Sequence, residues 1–184
     1  MEDYQIGYQA LEDNLVDLIA EEQAKLGYRK ESIRFYYPLK SLNHFFDCDK
    51  KADEIQKILE KFPEYMEKKY GRVSVSHEEE RFCIMLSEQA SEYVHNHKDK
   101  NEFIEKLVNL LAVHDTTMQQ VIDLFKEQEN DCVIEEIKNG EFDLLIRFPD
   151  AKDRYYYCFK DEGCHIIYHR FLPEDYKDFY FEEK

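Results

Sequence analysis

Apolar side chains recur at three- and four-residue intervals through the first two-thirds of the chain, which is the spacing of one helix face. The first run predicts an amphipathic helix over residues 4–26, followed by Gly27 at the position where a glycine commonly ends a helix. The same spacing predicts further helices near residues 39–46, 52–62, 63–70, 103–111 and 118–125.

Two stretches within this helical region show a different pattern. Residues 31–37 alternate weakly, so a strand and a short helical turn both fit them. Residues 73–75 alternate as in a short strand. Ser76 and Glu79 then have the spacing of a capping box, and they predict a helix over residues 77–97.

The last third of the chain changes to the two-residue alternation of strands. Residues 132–148 predict a β-hairpin around Asn139-Gly140, because this pair favours a tight two-residue turn. Counting outward from that turn places Val133 opposite Ile146, with the apolar residues on one face.

A second hairpin is predicted next, with its turn at Glu162-Gly163 and Asp161 opposite Cys164. Successive strand residues point to opposite faces of a sheet, and here both faces are apolar. One face carries Tyr155, Tyr157, Phe159, Ile166 and Tyr168. The other face carries Tyr156, Cys158, Ile167 and Phe171.

These patterns predict an α+β fold, with a helical N-terminal two-thirds packed on a C-terminal antiparallel β-meander. The length suits one domain over residues 1–184. Within it we expect a mainly helical part at residues 1–129, the meander at 130–172, and an aromatic and acidic tail at 173–184.

The charge balance narrows the classes of partner. Forty-one acidic residues against 25 basic ones give a formal net charge of −16. Binding nucleic acid requires Lys and Arg to neutralise phosphates, and the same acidity repels anionic lipid. We therefore expect neither a nucleic-acid nor a membrane partner.

The cysteines and the N-terminus indicate the compartment. The five cysteines are an odd number and form no C-x-x-C pair, as expected of reduced thiols. The acidic start, Met1-Glu2-Asp3, lacks the basic and apolar parts of a signal peptide, and no apolar run is long enough to span a membrane. These features predict a cytoplasmic protein.

Four side chains of the second hairpin are of the kind that binds zinc, namely Cys158, Cys164, His165 and His169. On strands, Cys164 and His165 point to opposite faces, and about 13 Å of backbone separates His165 from His169. We therefore expect a hairpin that holds no metal, and a protein with no cofactor.

His114-Asp115 is the sharpest enzymatic motif in the chain. It is similar to the paired metal ligands of HD-type phosphohydrolases, which also need an earlier histidine and a later aspartate. Thr116 and Thr117, each three residues before a glutamine, favour a simpler interpretation, a break between two helices. His114 and Asp115 stay as candidate catalytic residues of a metal-dependent hydrolase.

Two further patterns lie on the predicted helix over residues 77–97. His95 and His97 are two residues apart, which places them about 200° apart around a helix. Glu92 and His95 match one half of a di-iron site, which needs a second such pair in a helical context. Both patterns are interpreted as solvated helix surface.

The stretch from Glu21 to Phe46, EEQAKLGYRKESIRFYYPLKSLNHFF, resembles the N-terminal signature of a small bacterial family of unknown function. The resemblance implies a bacterial cytoplasmic protein. It implies no catalytic or binding residue.

Three functions follow as hypotheses. The first is a non-enzymatic interaction or regulatory module, because no catalytic constellation is found and the apolar hairpin needs a cover, with Tyr155, Tyr157, Phe159, Ile166 and Tyr168 as the candidate interaction face. The second is a small-molecule-binding protein with a tyrosine-lined pocket. The third is a hydrolase at His114-Asp115.

Two covers for the second face of the hairpin remain open. One is a second copy of the chain in a homodimer, since two-fold contacts commonly bury such surfaces. The other is the tail after Pro173, which carries aromatic residues among acids. The expected partner is thus a protein, either another chain or the protein itself.

Overall fold

The computed structural model describes residues 4–97, 101–137, 140–149 and 154–180, and the side chains of these except 177–180. These residues form eight helices and seven strands, and the chain divides into two compact units, residues 1–101 (unit 1) and 102–184 (unit 2). None of the described helices is long and apolar enough to cross a bilayer. The expectation of a single domain stays a prediction.

Unit 1 contains helices and strands in a mixed order. Along the chain they are α1 (Gln5–Leu26), β1 (Ile33–Pro38), α2 (Leu39–Phe45), α3 (Ala52–Leu59), α4 (Phe62–Tyr70), β2 (Val73–Glu78), β3 (Arg81–Leu86) and α5 (Glu88–His97). The helices predicted between residues 4 and 70 are confirmed, and the ambiguous residues 31–37 form most of a strand.

The first helix, α1, follows the apolar stripe that predicted it. Leu11, Leu15 and Ile19 have no exposed surface, so this side of the helix belongs to the core of unit 1. The helix ends at Gly27, whose φ of +76° is readily adopted only by a residue without a side chain. The Gly27 N–H donates to the Gln23 carbonyl and closes the last turn.

The predicted helix over residues 77–97 is wrong in its first half. β2 and β3 form an antiparallel hairpin joined by the two-residue turn Glu79-Glu80, and only α5, from Glu88 onward, is helical. β3 is the central strand of a three-stranded antiparallel sheet with the order β1-β3-β2. The capping-box spacing of Ser76 and Glu79 therefore lies in a strand and its turn.

The sequence of β3 does not show the apolar–polar alternation of a strand, because both sides of β3 carry apolar residues. Phe82, Ile84 and Leu86 point inward and have no exposed surface. Cys83 and Met85, on the other side of the strand, are also apolar and are half-buried. A short apolar run of this kind fits a strand and a buried helix equally well, and the tertiary packing decides between them.

Unit 2 contains a four-stranded antiparallel meander in the order β4-β5-β6-β7. Its elements are α6 (Glu102–Leu111), α7 (Met118–Gln128), β4 (Val133–Glu136), β5 (Leu144–Arg147), β6 (Tyr156–Asp161), β7 (Ile166–Phe171) and α8 (Pro173–Tyr180). Helices through the N-terminal two-thirds and a C-terminal antiparallel meander confirm the predicted α+β class.

The first hairpin of the meander has a register one residue away from the predicted one. Val133 lies opposite Arg147 instead of Ile146. The connection from β4 to β5 spans residues 137–143 and is longer than a two-residue turn. The predicted turn residue Asn139 lies outside the described residues. A one-residue shift moves each side chain to the other face, so the predicted apolar face is wrong as well.

The second hairpin has the predicted faces in a different register. Asp161 lies opposite Ile166 instead of Cys164, and a four-residue loop, residues 162–165, joins the strands. The register differs from the predicted one by two residues, and a shift of two leaves every side chain on the same face. The predicted division of the hairpin into two apolar faces is confirmed.

One face of the meander packs against α6 and α7. The ring of Tyr157 lies 5.0 Å from that of Phe125 on α7 and 6.0 Å from that of Phe103 on α6. Tyr157 and Phe125 have no exposed surface. Edge-to-face packing of these rings therefore forms the core of unit 2.

The opposite face of the meander is covered in part by α8. Tyr176, which is 6% exposed, joins a buried cluster with Phe142, Leu145 and Cys158. Its ring centroid lies 5.3 Å from that of Tyr156. The described part of the tail, helix α8, thus folds onto the second face of the hairpin.

Candidate functional site

The four potential zinc ligands of the second hairpin are not gathered at one point. Cys158 has no exposed surface, and burial raises the pKa of its thiol to about 12. His169, opposite Cys158, packs its ring against Phe142 with the centroids 5.8 Å apart. Cys164 and His165 lie in the loop.

The predicted divergence of Cys164 and His165 is wrong. Because both residues lie in the loop and not on a strand, Cys164 Sγ lies 3.2 Å from His165 Nδ1. In the part of the chain that the structure describes, no group of three His, Cys, Asp or Glu side chains is placed to hold a metal ion. The expectation of no metal and no cofactor stays a prediction.

The candidate interaction face of the second hairpin is the inner face of unit 2. Four of its residues are buried and the last is half-buried, in the order Tyr155, Tyr157, Phe159, Ile166 and Tyr168. Aromatic side chains of α6 and α7 occupy the space in front of it. In this structure the face is packed core, so it offers neither a surface to a partner nor open tyrosines to a ligand.

His114 and Asp115 form a pair on the surface of unit 2. His114 Nδ1 lies 2.8 Å from Asp115 Oδ2, and the two side chains are 75% and 78% exposed. Asp115 has a φ of +63°, as expected at the helix break that the neighbouring threonines predicted. Thr117 caps α7 through a reciprocal contact with Gln120.

Replacing His114 by alanine is expected to change the free energy of unfolding by no more than about 0.5 kcal/mol, as is usual for exposed side chains. We also expect no change in the hydrolysis of a general phosphate ester. Urea unfolding and a spectrophotometric ester assay measure the two effects. A variant that folds normally but loses an ester hydrolysis present in the unaltered chain would restore the hydrolase hypothesis.

The histidines of α5 have structural partners. The ring of His95 stacks on Tyr28 with the centroids 4.2 Å apart, and that of His97 stacks on Tyr93 at 4.5 Å. Glu92 Oε2 lies 3.3 Å from the Lys30 ammonium. The Glu92 and His95 side chains are thus engaged separately, one by an ion pair and the other by an aromatic ring.

Glu12 in unit 1 is a buried carboxylate that accepts three side-chain hydrogen bonds. It lies on α1 and is 1% exposed. Glu12 Oε1 accepts hydrogen bonds from Tyr70 Oη at 2.7 Å and Lys69 Nζ at 3.0 Å. Glu12 Oε2 accepts one from Tyr65 Oη at 2.7 Å. The carboxylate therefore ties α1 to α4, which carries all three donors.

The pKa values in this cluster follow from the hydrogen bonds. Burial raises the pKa of Glu12, but the hydrogen bonds from Tyr65, Tyr70 and Lys69 outweigh it, and the net pKa lies below the ordinary value. Burial, together with the hydrogen bond to the Glu12 carboxylate, raises the pKa of Tyr65 and of Tyr70. The cluster thus holds a charged carboxylate between two neutral phenols.

Sequence reasoning missed Glu12, although a signal was present. Tyr8, Leu15 and Ile19 place Glu12 within the apolar stripe of α1, where a charged residue needs a partner. With three donors on its two oxygens, the carboxylate serves to join two helices.

On one face of the sheet of unit 1 the strand residues are exposed or half-buried, apart from the buried Pro38 at one end of β1. Successive side chains of a strand point to opposite faces of the sheet. The pairing of β1 and β2 with β3 therefore shows which side chains share this side, which we call the outer face. The outer face consists of Arg34, Tyr36, Pro38, Arg72, Ser74, Ser76, Glu78, Arg81, Cys83 and Met85.

The outer face carries an aromatic ring on its edge strand β1 and two sulfur-containing side chains on its central strand β3. Tyr36 is 52% exposed, which is high for a tyrosine on a strand. The guanidinium carbon of Arg81 lies 5.8 Å from the centroid of its ring, within the range of a cation–π contact. Cys83, opposite Tyr36, and the neighbouring Met85 are half-buried. The outer face can therefore make both apolar and charged contacts.

Comparison with known proteins identifies a family whose function is unknown. A family model described as a domain of unknown function, with an E. rectale gene description (DUF3877), matches residues 8–180. No curated protein and no solved structure matches the chain.

Proposed function

Because the chain belongs to DUF3877, a bacterial family of unknown function, we propose its role from its own residues: a non-enzymatic, cytoplasmic protein-interaction module that binds through the outer face. The observation that carries the proposal is Tyr36, which lies on the edge strand β1 with half of its surface exposed on the outer face. Sheets that face water on one side usually show polar residues there, whereas this one shows Tyr, Met and Cys.

The composition of the outer face supports a protein partner. Tyrosine, methionine and arginine are enriched at protein interfaces, and tyrosine and arginine carry much of the binding energy. Tyr36, Met85 and Arg81 are all within two residues of Cys83 or directly across from it on neighbouring strands. The two serines of β2, Ser74 and Ser76, are small and leave room for an approaching side chain.

A cytoplasmic location is supported by the thiols. All five cysteines are free, and one of them, Cys164, is exposed. Free thiols persist in a reducing compartment, whereas secreted proteins commonly oxidise them. The formal charge of −16 also suits a soluble partner more than a nucleic acid or an anionic membrane.

A photo-crosslinking amino acid at Ser76 tests the proposal, because this exposed side chain lies on the outer face beside Cys83. The labelled chain is produced in a bacterium that encodes a member of the family. The matched control carries the same group at Lys57, which is exposed on α3. Crosslinked products are identified by mass spectrometry.

We expect one dominant protein product from position 76 and none from position 57. Adding Tyr36→Asp to the chain labelled at position 76 is expected to remove that product, because a charged side chain replaces the central aromatic contact. If position 76 gives no protein product, or if Tyr36→Asp leaves the product unchanged, the outer face is not the binding surface.

A further inference from the structure

The outer face carries opposite charges at its two ends. Arg34 on β1 and Arg72, just before β2, lie at one end and are exposed. Glu78, Glu79 and Glu80 lie at the other end, where β2 turns into β3. The six residue steps from Arg72 to Glu78 span about 20 Å at about 3.3 Å each, so the two charged ends are well separated.

The basic end is available for a partner. In the described part of the chain neither Arg34 nor Arg72 takes part in an ion pair, and the nearby Lys30 binds Glu92 with 3.3 Å between Nζ and Oε2. Backbone pairing holds Arg72 in place, since the Ser87 N–H donates to its carbonyl at 3.0 Å. Both guanidinium groups can therefore meet carboxylates from outside the chain.

The acidic end includes a residue in a backbone conformation that glutamate does not favour. Glu79 has a φ of +51°, a conformation for which asparagine or glycine is the usual choice in a two-residue hairpin turn. Glu78, Glu79 and Glu80 are exposed and form no ion pair within the described ranges. Arg81, the residue after Glu80, lies over the ring of Tyr36.

We infer that the partner at the outer face is a second copy of the chain, bound across a two-fold axis with the sheets face to face. The inference rests on the proposed function of this face. A two-fold axis that lies parallel to the face and perpendicular to the strands brings the basic end of each copy onto the acidic end of the other. One surface patch then supplies both halves of a complementary contact, as symmetric dimers require.

The axis passes close to Cys83. This residue is the middle one of the central strand on the outer face, between Tyr36 on β1 and Ser76 on β2. A rotation that exchanges the two charged ends leaves the centre of the face nearly in place. The Cys83 thiols of the two copies are therefore close to each other, and the two β1 strands, which carry Tyr36, lie opposite each other.

The dimer is weak because the face is small. Three strands about 4.8 Å apart and about 20 Å long cover roughly 300 Å² in projection on each copy, below the roughly 800 Å² per partner of a standard stable interface. We expect association in the micromolar range that weakens with added salt, since the end contacts are exposed charges.

A charge exchange tests the inference by sedimentation equilibrium at high micromolar concentration and low salt. One variant carries Arg34→Glu with Arg72→Glu, and the other carries Glu78→Arg with Glu80→Arg. Each alone has like charges at both ends and is expected to raise the dissociation constant by about tenfold or more. A mixture of the two variants restores association, and so does one chain with all four substitutions.

Two controls accompany the exchange. Glu22→Arg with Glu60→Arg makes the same change in net charge as the Glu78 and Glu80 substitutions, at exposed positions on α1 and after α3, and is expected to leave association unchanged. In a chain with Cys48→Ser, Cys132→Ser and Cys164→Ser, a short bis-maleimide is expected to crosslink two copies, and adding Cys83→Ser removes the product.

The outcomes separate this inference from the proposed function. If the unaltered chain is monomeric at every concentration while position 76 crosslinks another protein, the outer face binds a different partner and the second copy is wrong. If the chain associates but the mixed variants stay monomeric, the dimer does not use the charged ends and the inference is equally wrong. If no association and no crosslink are found, both proposals fail.

Discussion

Replacing Glu12 by alanine is expected to lower the free energy of unfolding of unit 1 by about 2–4 kcal/mol. The substitution leaves the fully buried Tyr70 hydroxyl and the Tyr65 hydroxyl without their acceptor, and an unsatisfied buried polar group costs about 1–3 kcal/mol. Lys69 is half-exposed, so water can solvate the ammonium once the carboxylate is gone. Urea unfolding followed by circular dichroism measures the loss.

Because of the Glu12 carboxylate, the free energy of unfolding of unit 1 is expected to decrease as the pH becomes acidic. The pKa of Glu12 is lowered in the folded chain, so its contribution is complete above the ordinary value of 4.5. It is lost as the pH falls through the folded pKa, because the folded chain must then take up a proton that the unfolded chain already holds. In the Glu12→Gln variant this part of the acid destabilisation is expected to disappear.

An exposed acid on the same helix provides the control. Glu22→Ala removes one negative charge from α1 without touching the buried cluster, and its effect is expected to stay within about 0.5 kcal/mol. Equal effects of Glu12→Ala and Glu22→Ala would mean that the hydrogen bonds from Tyr65, Tyr70 and Lys69 do not stabilise unit 1.

Ending the chain before Pro173 is expected to destabilise unit 2 by about 2–4 kcal/mol and to make it aggregate, because loss of a buried aromatic side chain costs on this scale. The cut removes α8 and with it Tyr176, which packs on Tyr156 and Cys158. It also removes Glu174, the ion-pair partner of Arg154. Light scattering and thermal unfolding of both chain lengths measure the change.

A point substitution separates the ring from the rest of the tail. Tyr176→Ala is expected to reproduce most of the effect of the cut, whereas Tyr176→Phe keeps the ring and is expected to retain most of the stability. A truncated chain that stays monomeric and unfolds at the same temperature would show that the tail is not the cover of this face.

The second hairpin has the predicted faces although its register differs from the predicted one. The first hairpin has neither the predicted register nor the predicted faces. Asp161 was placed opposite Cys164 and lies opposite Ile166, a shift of two residues that keeps each side chain on its face. Val133 was placed opposite Ile146 and lies opposite Arg147, a shift of one that exchanges the faces. Register depends on loop length, and loops of two, four or more residues leave similar patterns.

Local periodicity alone determined the long elements of this protein. The stripe of α1, the capping of α7 by Thr117 and the change to strands in the last third are properties of neighbouring residues. Such properties are expressed in any fold that buries the apolar side. The α+β class could therefore be predicted from the sequence, whereas the choice between the tail and a second copy as the cover of the hairpin could not.

Only the tertiary structure decided which side chains meet across the chain. Glu12 meets Tyr65 and Tyr70 over more than fifty residues, and β3 becomes a strand because β1 and β2 lie on either side of it. The candidate site at the outer face exists for the same reason, since its residues come from three strands, of which β1 is distant in the chain from β2 and β3. A contact between distant segments leaves no period in the sequence, because its free energy is gained only when the whole unit is packed.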